Sequence, residues 1–155
     1  LFHEHFLSIS LQAHKRIYIS RSKSAKRRLN NEKSIIKILK ANKFEVVFTE
    51  ELSLAEQLNM AANARIIISN HGAGLSNILF MKPGNFVMEI RHMNDAHNNC
   101  YFTLASAMNL KYYYFLAEPQ EDRENIHTAN LIVDPIRFQK ELSEMLEHEV
   151  TERRQ

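Results

Sequence analysis

The chain has 155 residues, with 20 Lys and Arg against 18 Asp and Glu, and a single cysteine. That length suits one domain burying roughly 68–70% of its unfolded surface, and 45% hydrophobic with 25% charged residues excludes a disordered tail, a collagen-like repeat and a disulfide scaffold. No apolar run nears the ~18 residues of a membrane span, Cys100 alone forms no internal disulfide, and a net charge of +2 is too small to argue for nucleic acid.

Leu1 to Lys15 reads as a leading helix or linker, and residues 16–155 as one domain. Arg16 to Ser20 is a β-branched and aromatic run, hence a strand. Five basic residues follow without an acid among them: Arg21, Lys23, Lys26, Arg27 and Arg28. Asn30 and Asn31 can cap a helix carrying Ile35, Ile36 and Leu39. Phe44 to Phe48 is the next strand. Ser53 and Glu56 form a capping box at the head of a helix running to about Asn63. Arg65 to Ser69 is a continuous apolar run, as in a strand covered on both faces.

The alternation continues. Glycine is scarce: three residues, where average usage of about 7% would give roughly eleven. Two of the three, Gly72 and Gly74, fall in His71-Gly-Ala-Gly74, which opens a short helix through Leu75, Ile78 and Leu79. Lys82-Pro83-Gly84 ends it. Phe86 to Ile90 is a strand, Asn98 to Asn109 a helix with Phe102, Ala105 and Met108 on one side, and Lys111 to Phe115 a tyrosine-rich strand. Glu118 to Asn130 is a polar surface loop. Asp134 caps a last helix that starts with Pro135 and carries Phe138, Leu142, Met145 and Leu146.

Strands alternating with helices give an α/β fold: a doubly wound, Rossmann-like parallel sheet of five or six strands with helices on both faces. Ligands of such sheets bind beyond the carboxyl ends of the strands, at the switch point. That selects Ser20 to Arg28, Ser69 to Leu75, and Glu89 to His92. The two-glycine turn offers backbone N–H groups and a helix-end dipole to a phosphate or diphosphate; its alternative is a tight turn with no ligand. The basic run offers guanidinium forks to phosphate oxygens, or is a solvated loop. A nucleic-acid patch is disfavoured, since no aromatics interleave. His71 donates to a phosphate, acts as a general base, or orients the loop. Glu89 interrupts an apolar strand, and a buried carboxylate needs a partner. It accepts from ribose hydroxyls, or pairs with Arg91 or Arg65. The eight histidines include no third ligand at a recognised metal spacing.

Arg16-Ile-Tyr-Ile-Ser-Arg21, Arg27-Arg28-Leu-Asn-Asn-Glu32, Leu52-Ser-Leu-Ala-Glu-Gln57, His71-Gly-Ala-Gly-Leu-Ser-Asn77 and Val87-Met-Glu-Ile90 come in the order of one family. Over about Arg16 to Phe115 the chain resembles the C-terminal part of glycosyltransferase family 61. That family includes extracellular O-linked GlcNAc transferases, plant xylan-decorating enzymes and bacterial capsular-polysaccharide proteins. The resemblance implies a GT-B-type, inverting, metal-independent glycosyltransferase, with residues 16–155 as its nucleotide-sugar-binding domain.

By position, Arg21 and Arg28 would grip the diphosphate of a nucleotide sugar. The amides around Gly72, Ala73, Gly74 and Leu75 would cradle it beside His71, and Glu89 would sit near the ribose. The resemblance implies no cofactor, a glycan or protein acceptor, and a separate N-terminal domain that supplies the general base. The competing reading is a non-catalytic nucleotide-binding or interaction module. The single cysteine and compact loops suggest a bacterial cytoplasmic protein, whereas eukaryotic relatives would belong to the secretory pathway.

Overall fold

The computed structural model describes residues 13–121 and 125–152; most of the leading segment expected before Arg16 lies outside them. The elements run β1 (Lys15–Ile19), α1 (Glu32–Ala41), β2 (Phe44–Val47), α2 (Leu54–Asn63), β3 (Ala64–Asn70), a 3-10 helix (Ala73–Phe80), β4 (Phe86–His92), α3 (Cys100–Ala107), β5 (Lys111–Pro119), β6 (Leu131–Ile132) and α4 (Pro135–Glu152). A single sheet has the strand order β2-β1-β3-β4-β5-β6. The first five strands are parallel. The order reverses once, between β1 and β3, and that is the switch point of a doubly wound sheet.

Side chains alternate across the strands and feed two cores. Tyr18, Ile66, Ile68, Phe86, Met88 and Ile90 face one side, where α1 (Ile35, Leu39) and α4 (Phe138, Leu142, Met145) cover them. Ile17, Ile19, Ile67 and Val87 face the other, under α2 (Met60, Ala61), the 3-10 helix (Leu75, Ile78) and α3 (Ala105). Ile66, Ile67, Ile68 and Val87 are wholly buried, as a central strand pair with helices on both faces requires. The capping box closes in full: the Ser53 hydroxyl accepts from the Glu56 amide, and the Glu56 carboxylate accepts from the Ser53 amide. Asp134 caps α4 through the Arg137 amide at 2.8 Å.

Four expectations are corrected. The sheet is not wholly parallel, because the segment from 118 to 130 is not all loop: β5 continues to Pro119 and the two-residue β6 returns antiparallel against it. The helix after the glycine turn is 3-10 rather than α, which turns Leu79 outward. Phe102 is likewise half exposed rather than on the buried side of α3. Asn31 stands at the head of α1 but makes no side-chain cap. Its amide instead brackets Val133, donating to the carbonyl at 2.6 Å and accepting from the amide at 3.1 Å.

The amino end of the sheet is closed by a buried carboxylate. Glu149 of α4 has no exposed surface and meets Arg16 at 2.9 Å and Arg65 at 3.5 Å. Removing one partner of a buried ion pair costs about 3–5 kcal/mol, because its counter-charge stays behind. An exposed helical pair costs under about 1 kcal/mol. Glu149→Ala should therefore lower the urea midpoint sharply, whereas Glu144→Ala, which removes the exposed Lys140–Glu144 pair, should leave it nearly unchanged.

Candidate functional site: a cationic cleft at the sheet switch point

Three short segments leave the carboxyl ends of β1, β3 and β4 and meet at the switch point. Their ends are locked first. Ser69 Oγ donates to the Ile19 carbonyl at 2.9 Å across β1 and β3. Tyr18 and Ser20 both donate to one oxygen of the buried Glu32, at 2.7 and 2.8 Å. These bonds fix where the basic loop begins.

Arg21 leaves that anchor and lays its guanidinium on Gly72. A Cβ at residue 72 would stand 2.7 Å from Arg21 Cζ and 3.2 Å from Nε, so any larger residue there would have to displace the guanidinium from its seat. Gly74 is less tightly bounded: a Cβ on it would stand 3.0 Å from Ile19 Cγ2, which would have to give by a few tenths of an ångström. The turn has amides to spare. The Leu75 amide donates to the Gly72 carbonyl at 2.9 Å, while the amides of Gly72, Ala73 and Gly74 have no acceptor among the described residues.

Arg27, rather than Arg28, is turned inward beside Arg21. Its backbone is left-handed, with φ 57°, a conformation costing a non-glycine residue about 1–2 kcal/mol. Asn70 holds it there by donating from Nδ2 to the Arg27 carbonyl at 2.9 Å. Arg28 projects its side chain into solvent. Its backbone clips the loop to the far end of the chain, accepting from the Leu131 amide at 2.8 Å and donating to Asn130 Oδ1 at 3.0 Å. Neither Arg21 nor Arg27 makes an ion pair among the described residues, and the Nε of each is buried without a partner. Burial, and then the neighbouring Arg27, lower the Arg21 pKa against the weaker pull of Tyr101 and Glu50. An anion in the cleft would remove that repulsion.

Arg27, Asn70, His71, His92 and Asp95 line the polar side of a narrow cleft, with Ile126, Ala129 and Leu131 opposite. Asn70 Oδ1 and His92 Nε2 are buried there without partners. His92 Nδ1 accepts from the Asn94 amide at 3.0 Å, so its Nε2 is left as a donor. Of the cleft's buried side-chain atoms without a partner, Asn70 Oδ1 is an acceptor, and Arg27 Nε and His92 Nε2 are donors.

His71 borders this cleft, and Glu89 lies wholly buried behind it. The Glu89 carboxylate is bonded by His71 Nδ1 on one oxygen and by the Tyr112 hydroxyl on the other. The ion-pair partner is therefore neither Arg91 nor Arg65. Arg65 belongs to the Glu149 network and to Asn85. Arg91 donates to Asn99, Asp95 and Asn98 at 2.8–3.1 Å. Cys100 is exposed and unbonded to sulfur. Among the described residues no cluster of three or more His, Cys, Asp or Glu could hold a metal ion.

Sequence spacing thus placed Arg21, His71, Gly72, Ala73, Gly74 and Leu75 at one site. The strand-end rule had selected the segments that hold Arg27, Asn70 and His92 without singling those residues out, while Tyr112 lay outside them, with the tyrosine run of β5 as its only trace. With that geometry in place, comparison with known sequences adds the lineage. The family model described as Glycosyltransferase 61 matches residues 1–88, more than half of the chain. The chain belongs to glycosyltransferase family 61. It is 35% identical over 98 residues to the EGF domain-specific O-linked N-acetylglucosamine transferase of Drosophila melanogaster, covering 61% of this chain and 18% of that protein. It is 31% identical over 117 residues to the rat protein of the same name, covering 70% and 22%. With protein O-linked-mannose beta-1,4-N-acetylglucosaminyltransferase 2 of Xenopus tropicalis it shares 29% identity over 115 residues, covering 70% and 20%. The chain spans about a fifth of the length of these curated relatives.

The Tyr112 hydroxyl offers a check on the buried carboxylate. Burial, and then its bond to the Glu89 carboxylate and that group's charge, push the phenol well above the ordinary tyrosine range, against a smaller pull from Arg91. A raised native value contributes stability that is whole below about pH 10, the unfolded tyrosine value, and is lost as pH rises toward it. Tyr112→Phe should lower the urea stability by about 1–3 kcal/mol at pH 8, because Glu89 loses a donor. It should also flatten the fall in stability above pH 10.

Proposed function

We propose that this chain is the donor-binding domain of an inverting glycosyltransferase, holding a nucleotide diphosphate sugar and delivering the sugar to a glycan or protein acceptor. One observation carries the reading. Among the described residues, two half-buried arginines without ion-pair partners, Arg21 on Gly72 and Arg27 beside it, flank a turn whose Gly72, Ala73 and Gly74 amides have no acceptor, at the switch point of a doubly wound sheet. An anion with several oxygens satisfies both sets of donors, and a diphosphate is the anion that a glycosyltransferase of this family would hold. The membership supports the class of reaction. The relatives' names, with N-acetylglucosamine as the sugar moved, support a sugar nucleotide as the donor.

In this reading Arg21 and Arg27 grip the diphosphate, and Arg28 at the rim adds long-range attraction. The amides of Gly72, Ala73 and Gly74 cradle the anion, with Leu75 closing the turn. His71 contacts the phosphate edge, and Glu89 acts from beneath through His71. Displacement at the anomeric carbon makes the nucleoside diphosphate leave with growing charge. Guanidinium groups and fixed amides placed where that charge appears stabilise the transition state, so no divalent ion is needed. The second half of a GT-B enzyme would supply the acceptor site and the base that deprotonates the attacking hydroxyl. No described helix is long and apolar enough to cross a membrane. The animal relatives favour a secretory-pathway setting over the bacterial cytoplasm.

Calorimetric titration with uridine, guanosine, cytidine and thymidine diphosphates tests this. One of the four should bind. Arg21→Ala and Arg27→Ala should each weaken it roughly ten- to hundredfold, since a charge-assisted hydrogen bond is worth about 1.5–3 kcal/mol and about 1.4 kcal/mol is tenfold. Arg28→Ala should cost less than Arg27→Ala. Gly74→Val should cost at least as much as either inward arginine, and Lys140→Ala on α4 nothing. Failure of all four nucleotides to bind at millimolar concentration, in this chain and in any longer parent, would leave the interaction module as the surviving reading. Binding should also survive EDTA. A strict need for magnesium or manganese would overturn the metal-free mechanism alone.

A further inference from the structure

The pair behind the cleft adds a property that anion binding alone does not require. The Glu89 carboxylate can only accept, so His71 Nδ1 carries hydrogen toward it. On the other side of the ring, the Asn98 amide nitrogen lies 3.0 Å from His71 Nε2. The Asn98 oxygen faces the Cys100 amide at 3.5 Å, which sets the amide's orientation. Nε2 therefore holds a lone pair, and His71 is the neutral Nδ1–H tautomer when the cleft is empty. The lone pair faces the Asn98 amide, on a ring that borders the cleft. Bringing the anion in sets lone pair against phosphate oxygen, unless the ring gains a proton.

The groups around the ring favour the gain. Glu89 on β4 puts a buried negative charge at Nδ1, and its second oxygen is steadied by Tyr112 of β5. Tyr101 of α3 sets its ring against the imidazole with centroids 5.1 Å apart. Arg91 and Asp95 largely cancel one another at 3.7 Å. Cys100, whose thiol is pushed upward chiefly by burial and then by Glu89, and His92 across the cleft complete the titratable set. Arg21 and Arg27 oppose a further positive charge in the empty cleft, and a diphosphate cancels that opposition.

We propose that diphosphate binding and proton uptake at His71 are one event. The ring takes one proton from solvent, keeps Nδ1–H on Glu89, releases the Asn98 amide, and donates Nε2–H to a phosphate oxygen. Glu89 and Tyr112 are positioning residues that act through His71. The imidazolium then stands between carboxylate and phosphate, so charge alternates through the site. This rests on the diphosphate site proposed above.

Affinity should strengthen as pH falls, because the bound state holds more protons than the free state. The dissociation constant should rise with pH, by at most the tenfold per pH unit that one proton gives. The test is calorimetry at pH 8 with the tightest-binding of the four nucleoside diphosphates, repeated in buffers of different ionisation enthalpy. Their slope reads protons taken up directly. Wild type should take up more than half a proton per diphosphate bound. His71→Gln should take up none and bind about tenfold more weakly. His148→Gln on α4, away from the cleft, should keep the uptake, and Glu89→Gln should reduce it, the second variant standing in should His71→Gln fail to fold. Binding with no uptake in wild type, or uptake that persists in His71→Gln or vanishes in His148→Gln, overturns the proposal and leaves the diphosphate site standing. No binding by any of the four overturns both.

Discussion

The guanidinium of Arg21 lying on Gly72 is the contact that ties the two principal loops of the site together. It joins the loop after β1 to the turn after β3 at the one place where the strand order reverses. Glycine leaves the space that the guanidinium fills. The neighbouring loop accepts a left-handed residue, Arg27, to bring a second cation alongside. Folded proteins seldom place two cations together in partial burial without an anion, and strained backbone gathers at working sites. The arrangement is therefore costly in the empty protein.

Buried carboxylates supply the frame. Glu32 receives two hydroxyls and fastens α1 to the end of β1. Glu149 receives two arginines and fastens α4 to the opposite end of the sheet. Glu89 receives an imidazole and a phenol in the middle. Only the Glu89 pair has a partner that also borders the cleft. The first two hold secondary structure in place, whereas the third connects the sheet interior to whatever occupies the site.

Much of this was legible in the chain. The apolar run at Ile66 to Ile68 announced a doubly covered central strand, and the Ser53–Glu56 pair fixed a helix start. Gly72 and Gly74 in a glycine-poor chain marked a close approach. What escaped depended on relations that spacing does not carry. Whether Arg27 or Arg28 turns inward is decided by one backbone angle. The partners of Glu89 are decided by parallel register, which brings β5 alongside β4, and by a histidine past the end of β3. A two-residue strand such as β6 shows no period at all. Asn31 looked like a cap because its type and position fit one, yet its amide was taken by a segment about a hundred residues further on.

That last reach has a consequence for the order of assembly. The basic loop is clipped by Arg28 to Asn130 and Leu131, and the head of α1 by Asn31 to Val133, across separations of 102 and 103 residues. Closing so wide a span is slow, because chain entropy is lost before the contact returns anything. Emerging from a ribosome, the strands up to β4 can pair while the loop holding Arg21 and Arg27 still hangs open. The cationic cleft is thus among the last features to form, and its completion reports that the chain has been made as far as α4.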